Sequence, residues 1–195
     1  MFVKDIARKK HIAKNAFIYE NGTPVRALYA LRRGIAKVYD SRQVLQGVVF
    51  PGQVMGADEL FSGEHQYSVQ AATDAEVCEL KNTHFYHFSQ ITHDFTQFII
   101  DILSRSAREK QRFISVLVQS DGVQKVGEFI QLMVDINREY GYGQRVLELP
   151  LSKKELAQLL GISQSTLARA FDSLEAQRKV VVNKKELVVL DEGKC

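Results

Sequence analysis

From about Phe17 to Leu80, short apolar runs alternate with segments rich in glycine and polar residues. The runs ALYAL, IAKVY, VLQGVVF and AEVCEL are separated by turn-forming segments such as ENGTP, RRG and PGQ. Apolar runs of this length between turn-forming residues are typical of strands. The pattern therefore predicts an antiparallel sandwich or barrel in this part of the chain.

After about Lys81 the apolar residues follow helical spacing, and no glycine or proline occurs over residues 92–119. One narrow stripe repeats at alternating steps of four and three residues, which is typical of a coiled-coil seam. Periodicity alone leaves open whether this stripe meets a second chain or packs on the sheet of its own chain. A second helix is predicted over about 123–140, after a break at Gly122. The stripe consists of Ile99, Leu103, Ser106, Lys110, Phe113 and Leu117.

The stretch LSKKELAQLLGISQSTLARAFDSLEAQ, residues 151–177, predicts two short helices joined by a tight turn. Ser152 followed three residues later by Glu155 forms a capping box at the start of the first helix. Gly161 suits the left-handed conformation that ends a helix, and Ser163 is a good cap for the next one. The segments RVLELPL and KVVVNKKELVVLD, on either side, predict a short strand and a hairpin.

The outer face of the second helix in this pair is small, polar and able to form hydrogen bonds. A recognition helix presents such residues to base edges in the major groove, whereas a bulky or acidic face would be obstructed or repelled. An ordinary helical hairpin is the alternative, but the caps, the glycine turn and the basic hairpin together favour DNA binding. Gln164, Ser165 and Arg169 are the predicted base-reading residues, and Ser163, Thr166, Lys184 and Lys185 are the predicted phosphate contacts.

The composition limits the other possible functions. A net charge of +3 permits a nucleic-acid partner without requiring one. The two cysteines, Cys78 and Cys195, form neither a disulfide framework nor a metal-binding pair. No apolar run is long enough for a membrane span and no secretory signal is recognisable, so a cytoplasmic protein is expected. Glycine-rich phosphate loops, nucleophile elbows and metal-ligand spacings are absent from the sequence, so an enzyme is not expected.

The order of these parts resembles the CRP/FNR family of bacterial transcription regulators. LYALRRGIAKVY, PGQVMG leading into ELF, the long helix and the helical pair carry the resemblance. It implies an α+β fold, with an antiparallel β-roll of the jelly-roll or double-stranded β-helix type over residues 1–91. A dimerisation helix over 92–120 and a winged helix-turn-helix over 121–195 would follow.

The resemblance also implies a homodimer that binds double-stranded DNA at an approximately palindromic operator. RNA polymerase would be a further partner if the protein is an activator, and no membrane partner is implied. The best-known family members carry a glutamate where this chain has Ser165, whereas Arg169 is retained. The half-site is therefore expected to differ from the familiar consensus of the family.

The segment that would bind an effector departs from the family pattern. Members that bind cyclic AMP have Gly-Glu after the Pro-Gly turn, where the Glu holds the ribose, and a later arginine that neutralises the cyclic phosphate. Here Ala57 follows Gly56, and SGEHQYSVQAA contains no arginine. A phosphate without a bidentate guanidinium partner is costly to bury, which argues against cyclic AMP. The candidate pocket residues are Gly56, Asp58, Glu59, His65, Tyr67, Ser68 and Lys110.

Other cofactors are constrained to different degrees. An iron–sulfur cluster needs four cysteine thiolates, which excludes it for a chain with two cysteines. The sequence excludes neither a haem cofactor nor a β-roll without any effector. The conceivable haem ligands are His11, His65, His84, His87, His93 and Met55.

The alternative function is a small-ligand or cyclic-nucleotide module whose C-terminal helices contact other proteins. Such a module would lack salt-dependent binding to duplex DNA.

Overall fold

The computed structural model describes residues 8–83, 93–141, 146–183 and 186–189. The chain divides into two compact units, Met1–Glu109 and Lys110–Cys195. The boundary falls inside the long helix, so the segment 92–120, predicted as a separate element, is shared between the N-terminal and C-terminal units.

The described part of the N-terminal unit contains two four-stranded sheets, in the orders β1-β8-β3-β6 and β2-β7-β4-β5. Neighbouring strands pair antiparallel throughout. This architecture confirms the predicted antiparallel β-roll. The strands are β1 (Arg8–Ile12), β2 (Phe17–Tyr19), β3 (Ala27–Arg33), β4 (Ala36–Tyr39), β5 (Leu45–Val49), β6 (Val54–Met55), β7 (Ser68–Ala71) and β8 (Ala75–Lys81).

The core of this unit lies between the two sheets. Alternate residues of β3, Ala27, Tyr29 and Leu31, point into it. Leu28, on the other face of β3, packs with Leu80 in a second cluster that includes Phe95 of the long helix α1 (His93–Leu117). β3 is therefore covered on both faces, which explains why ALYAL is an unbroken apolar run.

Strand β1 was not predicted, because the sequence pattern placed the first strand at about Phe17. Its sequence is RKKHI, and four of its five residues are exposed. It pairs only with β8 at the edge of its sheet, and Lys10 Nζ lies 2.7 Å from Glu79 Oε1 across that pairing. A polar edge strand lacks the alternating pattern by which strands are recognised in a sequence, and edge lysines are a common protection against edge-to-edge pairing.

The described C-terminal unit has three further helices and a small sheet of strand order β10-β11-β9. The predicted helical pair and hairpin are confirmed. The predicted break between the two long helices is confirmed: the first ends at Leu117, and α2 begins at Gly122 with Asp121 as its cap, one residue earlier than predicted. The elements are α2 (Gly122–Glu139), β9 (Val146–Glu148), α3 (Lys153–Leu160), α4 (Gln164–Ala176), β10 (Val180–Asn183) and β11 (Glu186–Val189). None of the helices in the described ranges is long and apolar enough to span a membrane.

Candidate DNA interface and effector pocket

Local hydrogen bonds fix both helices of the α3–α4 pair at their N-termini. Ser152 Oγ accepts from the N–H of Glu155 at 3.2 Å, and Glu155 Oε2 accepts from the N–H of Ser152 at 2.7 Å. Gly161 ends α3 in the left-handed region, at φ 64°. Ser163 Oγ then accepts from the N–H of Thr166 at 3.0 Å and caps α4. The sequence therefore determines where both helices begin and how sharply the chain turns between them.

The two faces of α4 have opposite character. Leu167, Ala170, Phe171 and Leu174 are all buried. On the other side, the three predicted base-reading residues, Gln164, Ser165 and Arg169, are all exposed. Arg169 Nε donates to the backbone oxygen of Ser165 at 3.3 Å, so the guanidinium lies back along its own helix. The buried face anchors the helix and leaves a polar face free for a partner.

Three hydroxyl groups cluster at the N-terminus of α4. Ser163 Oγ lies 2.8 Å from both Ser165 Oγ and Thr166 Oγ1. A helix N-terminus carries partial positive charge, and hydroxyl donors beside it suit a phosphate oxygen. Ser163 already acts as the helix cap, so its hydroxyl has a structural role whether or not it also meets phosphate.

The hairpin β10–β11 follows α4 and is tied to it. Glu175 Oε1, near the end of α4, accepts from the backbone N–H of Val182 at 2.8 Å. The predicted phosphate contacts Lys184 and Lys185, which lie between these two strands in the sequence, are outside the described residues.

The stripe predicted for the dimer seam and the apolar side chains that the single chain exposes on α1 overlap only in part. Ile99 packs against the Leu28 cluster of the β-roll, and the Phe113 ring lies 6.3 Å from that of Phe129 in α2. Ser106 and Leu117 are partly buried, Lys110 is exposed, and Leu103, at 36% exposure, belongs to both stripes. The other large apolar side chains exposed on this helix and just after it are Ile100 (49%), Ile114 (49%) and Val118 (73%).

The candidate effector pocket contains a buried acid–histidine pair. Glu59 and His65 are 3% and 2% exposed, and Glu59 Oε2 lies 2.7 Å from His65 Nδ1. The other carboxyl oxygen of Glu59 accepts from the backbone N–H of Gln66, also at 2.7 Å. The single 3-10 turn that carries Glu59 begins after Gly56, whose φ of 78° lies in the left-handed region. The carboxyl group is thus held by polar groups of its own chain.

Two residues that the sequence did not single out complete this cluster. The Tyr19 ring stacks on His65, with the ring centres 3.8 Å apart. The Asn21 side chain donates to the backbone oxygens of His65 and Gln66, and the backbone N–H of Asn21 donates to Ser68 Oγ at 3.0 Å. Both residues lie more than forty positions before their partners. The pairing of β2 with β7, and the backbone hydrogen bonds between residues 22–23 and His65, bring them together.

The remaining candidate residues of the pocket are exposed. Asp58 and Tyr67 are exposed, and Lys110 belongs to the C-terminal unit. Of the conceivable haem ligands, His11 and His93 are exposed and Met55 is buried, whereas His84 and His87 lie outside the described residues. Within the described ranges, no group of three or more His, Cys, Asp or Glu side chains is arranged to hold a metal ion.

The Tyr19 hydroxyl gives the roll a pH dependence. Burial, and then the nearby carboxylates of Glu59 and Asp58, raise the pKa of Tyr19 well above its ordinary value of 10.0. The unfolded chain therefore loses this proton first as the pH rises. The contribution of Tyr19 to the stability of the roll is fully present below about pH 10 and falls above it.

Thermal unfolding between about pH 8.5 and pH 11 tests this contribution. The melting temperature is expected to fall less steeply with rising pH for Tyr19→Phe than for the wild type. Tyr67→Phe, at a residue 38% exposed, should keep the wild-type slope; equal slopes for all three proteins would contradict this assignment.

Comparison with known proteins shows the same two parts. The cyclic nucleotide-binding domain family matches residues 9–91, and the Crp-like helix-turn-helix domain family matches residues 111–194. Electron transport regulator A of Shewanella oneidensis is 24% identical over 190 residues, which cover 95% of this chain and 76% of that protein. The anaerobic regulatory protein of Pasteurella multocida is 24% identical over 193 residues, covering 95% and 70%.

Among solved structures, FixK2 of Bradyrhizobium japonicum superposes with a TM-score of 0.78 at 20% identity, covering 97% of this chain and all of that one. This likeness concerns the fold, and it extends over both units of the chain. A cyclic nucleotide-binding domain followed by a Crp-like helix-turn-helix domain, with regulators as relatives over nearly the whole length, makes this chain a member of the CRP/FNR family of transcription regulators.

Proposed function

We propose that this regulator binds an approximately palindromic duplex as a homodimer, with α4 of each copy in a major groove. The observation that carries the proposal is the division of α4 into a buried apolar face and an exposed face with Gln164, Ser165 and Arg169. Arg169 has the fork that suits guanine O6 and N7, and Gln164 suits adenine N6 and N7. Ser165 can accept or donate, so it tolerates more than one base.

Phosphate contacts would set the register of this helix on the duplex. Thr166 and Ser163 stand at the N-terminus of α4, where backbone dipoles also favour a phosphate. Lys184 and Lys185 follow from the sequence as contacts of the hairpin. These residues would supply affinity without sequence preference, because every duplex presents the same phosphates.

The second copy would be held by the exposed stripe of α1. Ile100, Leu103, Ala107 and Ile114 are exposed and recur at steps of three, four and seven residues. An apolar stripe with this period is buried when two helices pack side by side. Two copies joined through α1 would present two recognition helices to successive major grooves, which is why the operator is expected to be a palindrome.

The β-roll would serve as a scaffold or as a sensor for something other than cyclic AMP. The buried carboxyl group of Glu59 already takes the N–H of Gln66 and lies against His65. A cyclic phosphate placed here would meet this carboxyl group, and the segment SGEHQYSVQAA supplies no guanidinium, which is unfavourable for an anion.

Binding measurements at several salt concentrations test the division between base and phosphate contacts. The duplex would be selected from a random library by the wild-type protein. Arg169→Ala is expected to cost about 1–3 kcal/mol at the selected site and to relax sequence preference. Lys184→Ala is expected to weaken all duplexes about equally and to reduce the salt slope by about one.

Arg42→Ala is the matched control, since it removes the same charge from an exposed position of the β-roll, where Arg42 pairs with Asp40. Its affinity for both selected and random duplexes should stay near that of the wild type. If Arg169→Ala and Lys184→Ala lowered specific and non-specific binding by the same factor, the proposed division of roles would be wrong.

A further inference from the structure

The first turn of α2 comes unusually close to the recognition helix at Gly122. A β-carbon added to Gly122 would lie 2.5 Å from Thr166 Cγ2, far inside van der Waals contact. The φ of Gly122 lies outside the left-handed region, so the backbone conformation does not require glycine here. The restriction at this position is steric, because a β-carbon on residue 122 would overlap the Thr166 side chain of α4.

Thr166 has little freedom to give way. Its Oγ1 lies 2.8 Å from Ser163 Oγ, and its backbone N–H donates to the same oxygen at 3.0 Å. A threonine in a helix has few χ1 rotamers, and turning the methyl group away would also break the contact of Oγ1 with the cap. An extra carbon on Gly122 would therefore displace the first turn of α4 rather than one side chain.

We propose that the contact between Gly122 and Thr166 positions the first turn of the recognition helix, so that Gly122 is a determinant of DNA sequence specificity. The inference rests on the proposed base-reading role of α4. Gln164 and Ser165 belong to this turn. Arg169 lies one turn further on, and its Nε donates a hydrogen bond to the backbone oxygen of Ser165. Because hydrogen bonds to base edges depend steeply on distance and angle, a small displacement disturbs base contacts more than phosphate contacts.

Gly122→Ala tests this role in the full-length protein. Binding to the selected duplex is expected to fall by about 5-fold to 150-fold, the range that corresponds to the loss of one good base contact. Binding to random duplex should change much less, so the ratio of specific to non-specific affinity falls. Gly127→Ala is the matched control in the same helix, because its added carbon would lie 3.6 Å from Leu174 Cδ2, an ordinary contact. This control should keep the wild-type ratio.

A second background separates a steric effect on α4 from a general loss of stability. Thr166→Ser keeps the hydroxyl and removes the methyl group that the added carbon would meet. The effect of Gly122→Ala on the affinity ratio should therefore disappear when it is measured against Thr166→Ser, whatever the affinity of that variant is. Thermal unfolding of each protein accompanies the binding data.

The outcomes are distinct. A loss of specificity for Gly122→Ala that disappears in the Thr166→Ser background supports the proposal. Unchanged specificity, the same loss in both backgrounds, or failure of both Gly122→Ala proteins to fold overturns it. If the wild type itself selects no duplex, the proposed function fails, and this result is distinguishable because it appears before any variant is compared.

Discussion

Substituting alanine for Glu59 is expected to lower the free energy of unfolding of the β-roll by about 1–3 kcal/mol. The side chain is buried, and its carboxyl group holds both His65 Nδ1 and the backbone N–H of Gln66 at 2.7 Å. Alanine would leave the buried His65 ring nitrogen without its partner and would remove the acceptor of the Gln66 N–H. A buried polar group that loses its partner costs much more than an intact bond contributes, and little water reaches this site to compensate.

Hydrogen exchange of the full-length protein, followed by mass spectrometry, measures this change in the β-roll alone. Amides of β3 and β8, at the centre of their sheet, should exchange much faster in Glu59→Ala, whereas those of α3 and α4 should not change. Glu64→Ala is the control, because it removes an exposed carboxylate five residues along the chain. The control is expected to stay within about 0.5 kcal/mol of the wild type. Equal protection in Glu59→Ala and Glu64→Ala would show that the buried pair is not structural.

Cyclic AMP provides a second arm of the same experiment. If the carboxyl group of Glu59 makes the roll unfavourable for a cyclic phosphate, added cyclic AMP should leave the exchange of the wild-type roll unchanged. Protection that increases with cyclic AMP concentration would instead mean that the nucleotide binds, since a ligand of the folded state stabilises it.

For the acid–histidine pair, the sequence predicted the residues but not their contact. Glu59 and His65 were both identified as pocket residues, because they lie in the segment that departs from the family pattern. That they contact each other could not be predicted, since the contact depends on a 3-10 turn and on the path of the following loop. Tyr19 gave no signal at all, because its place beside His65 follows from strand pairing between distant parts of the chain.

The α3–α4 pair was predictable in detail because its determinants are local. The capping box, Gly161 and the Ser163 cap each act within a few residues, and each is present in the structure. The tight approach of Gly122 to Thr166 is the opposite case. The glycine in QSDGVQ correctly indicated a helix break, but the sequence did not show that Gly122 itself begins α2 and lies against Thr166 of α4. A sequence does not show which neighbour such a glycine will contact.

The apolar line that α1 exposes differs from the line predicted for the dimer seam for a related reason. Ile99 and Ile100 are adjacent, and so are Phe113 and Ile114, so apolar residues with the same period run along two neighbouring lines of the helix. The β-roll and α2 cover the line of Ile99 and Phe113. Because periodicity cannot tell which line an unseen sheet will cover, only tertiary packing decides which one stays exposed.

The double substitution Ile100→Glu and Ile114→Glu is expected to yield a folded monomer that binds the selected operator about 100-fold to 10,000-fold more weakly than the wild type. Both side chains are half exposed in the single chain, so glutamate is tolerated there. In a dimer the four added carboxylates would meet at the seam without partners, which opposes association. A monomer then binds one half-site and loses the high effective concentration that the second copy provides.

Native mass spectrometry and binding to full and half operators distinguish this result from misfolding. The variant should have the mass of one chain, while its affinity for a half-site duplex stays near that of the wild type. Arg108→Glu is a stringent control, because it shifts the charge by two at an exposed position about a quarter-turn of the helix away from the stripe. That control should remain dimeric. A dimeric double variant would show that the exposed line of α1 is not the seam, and a monomeric Arg108→Glu would show that charge on α1 acts without regard to the stripe.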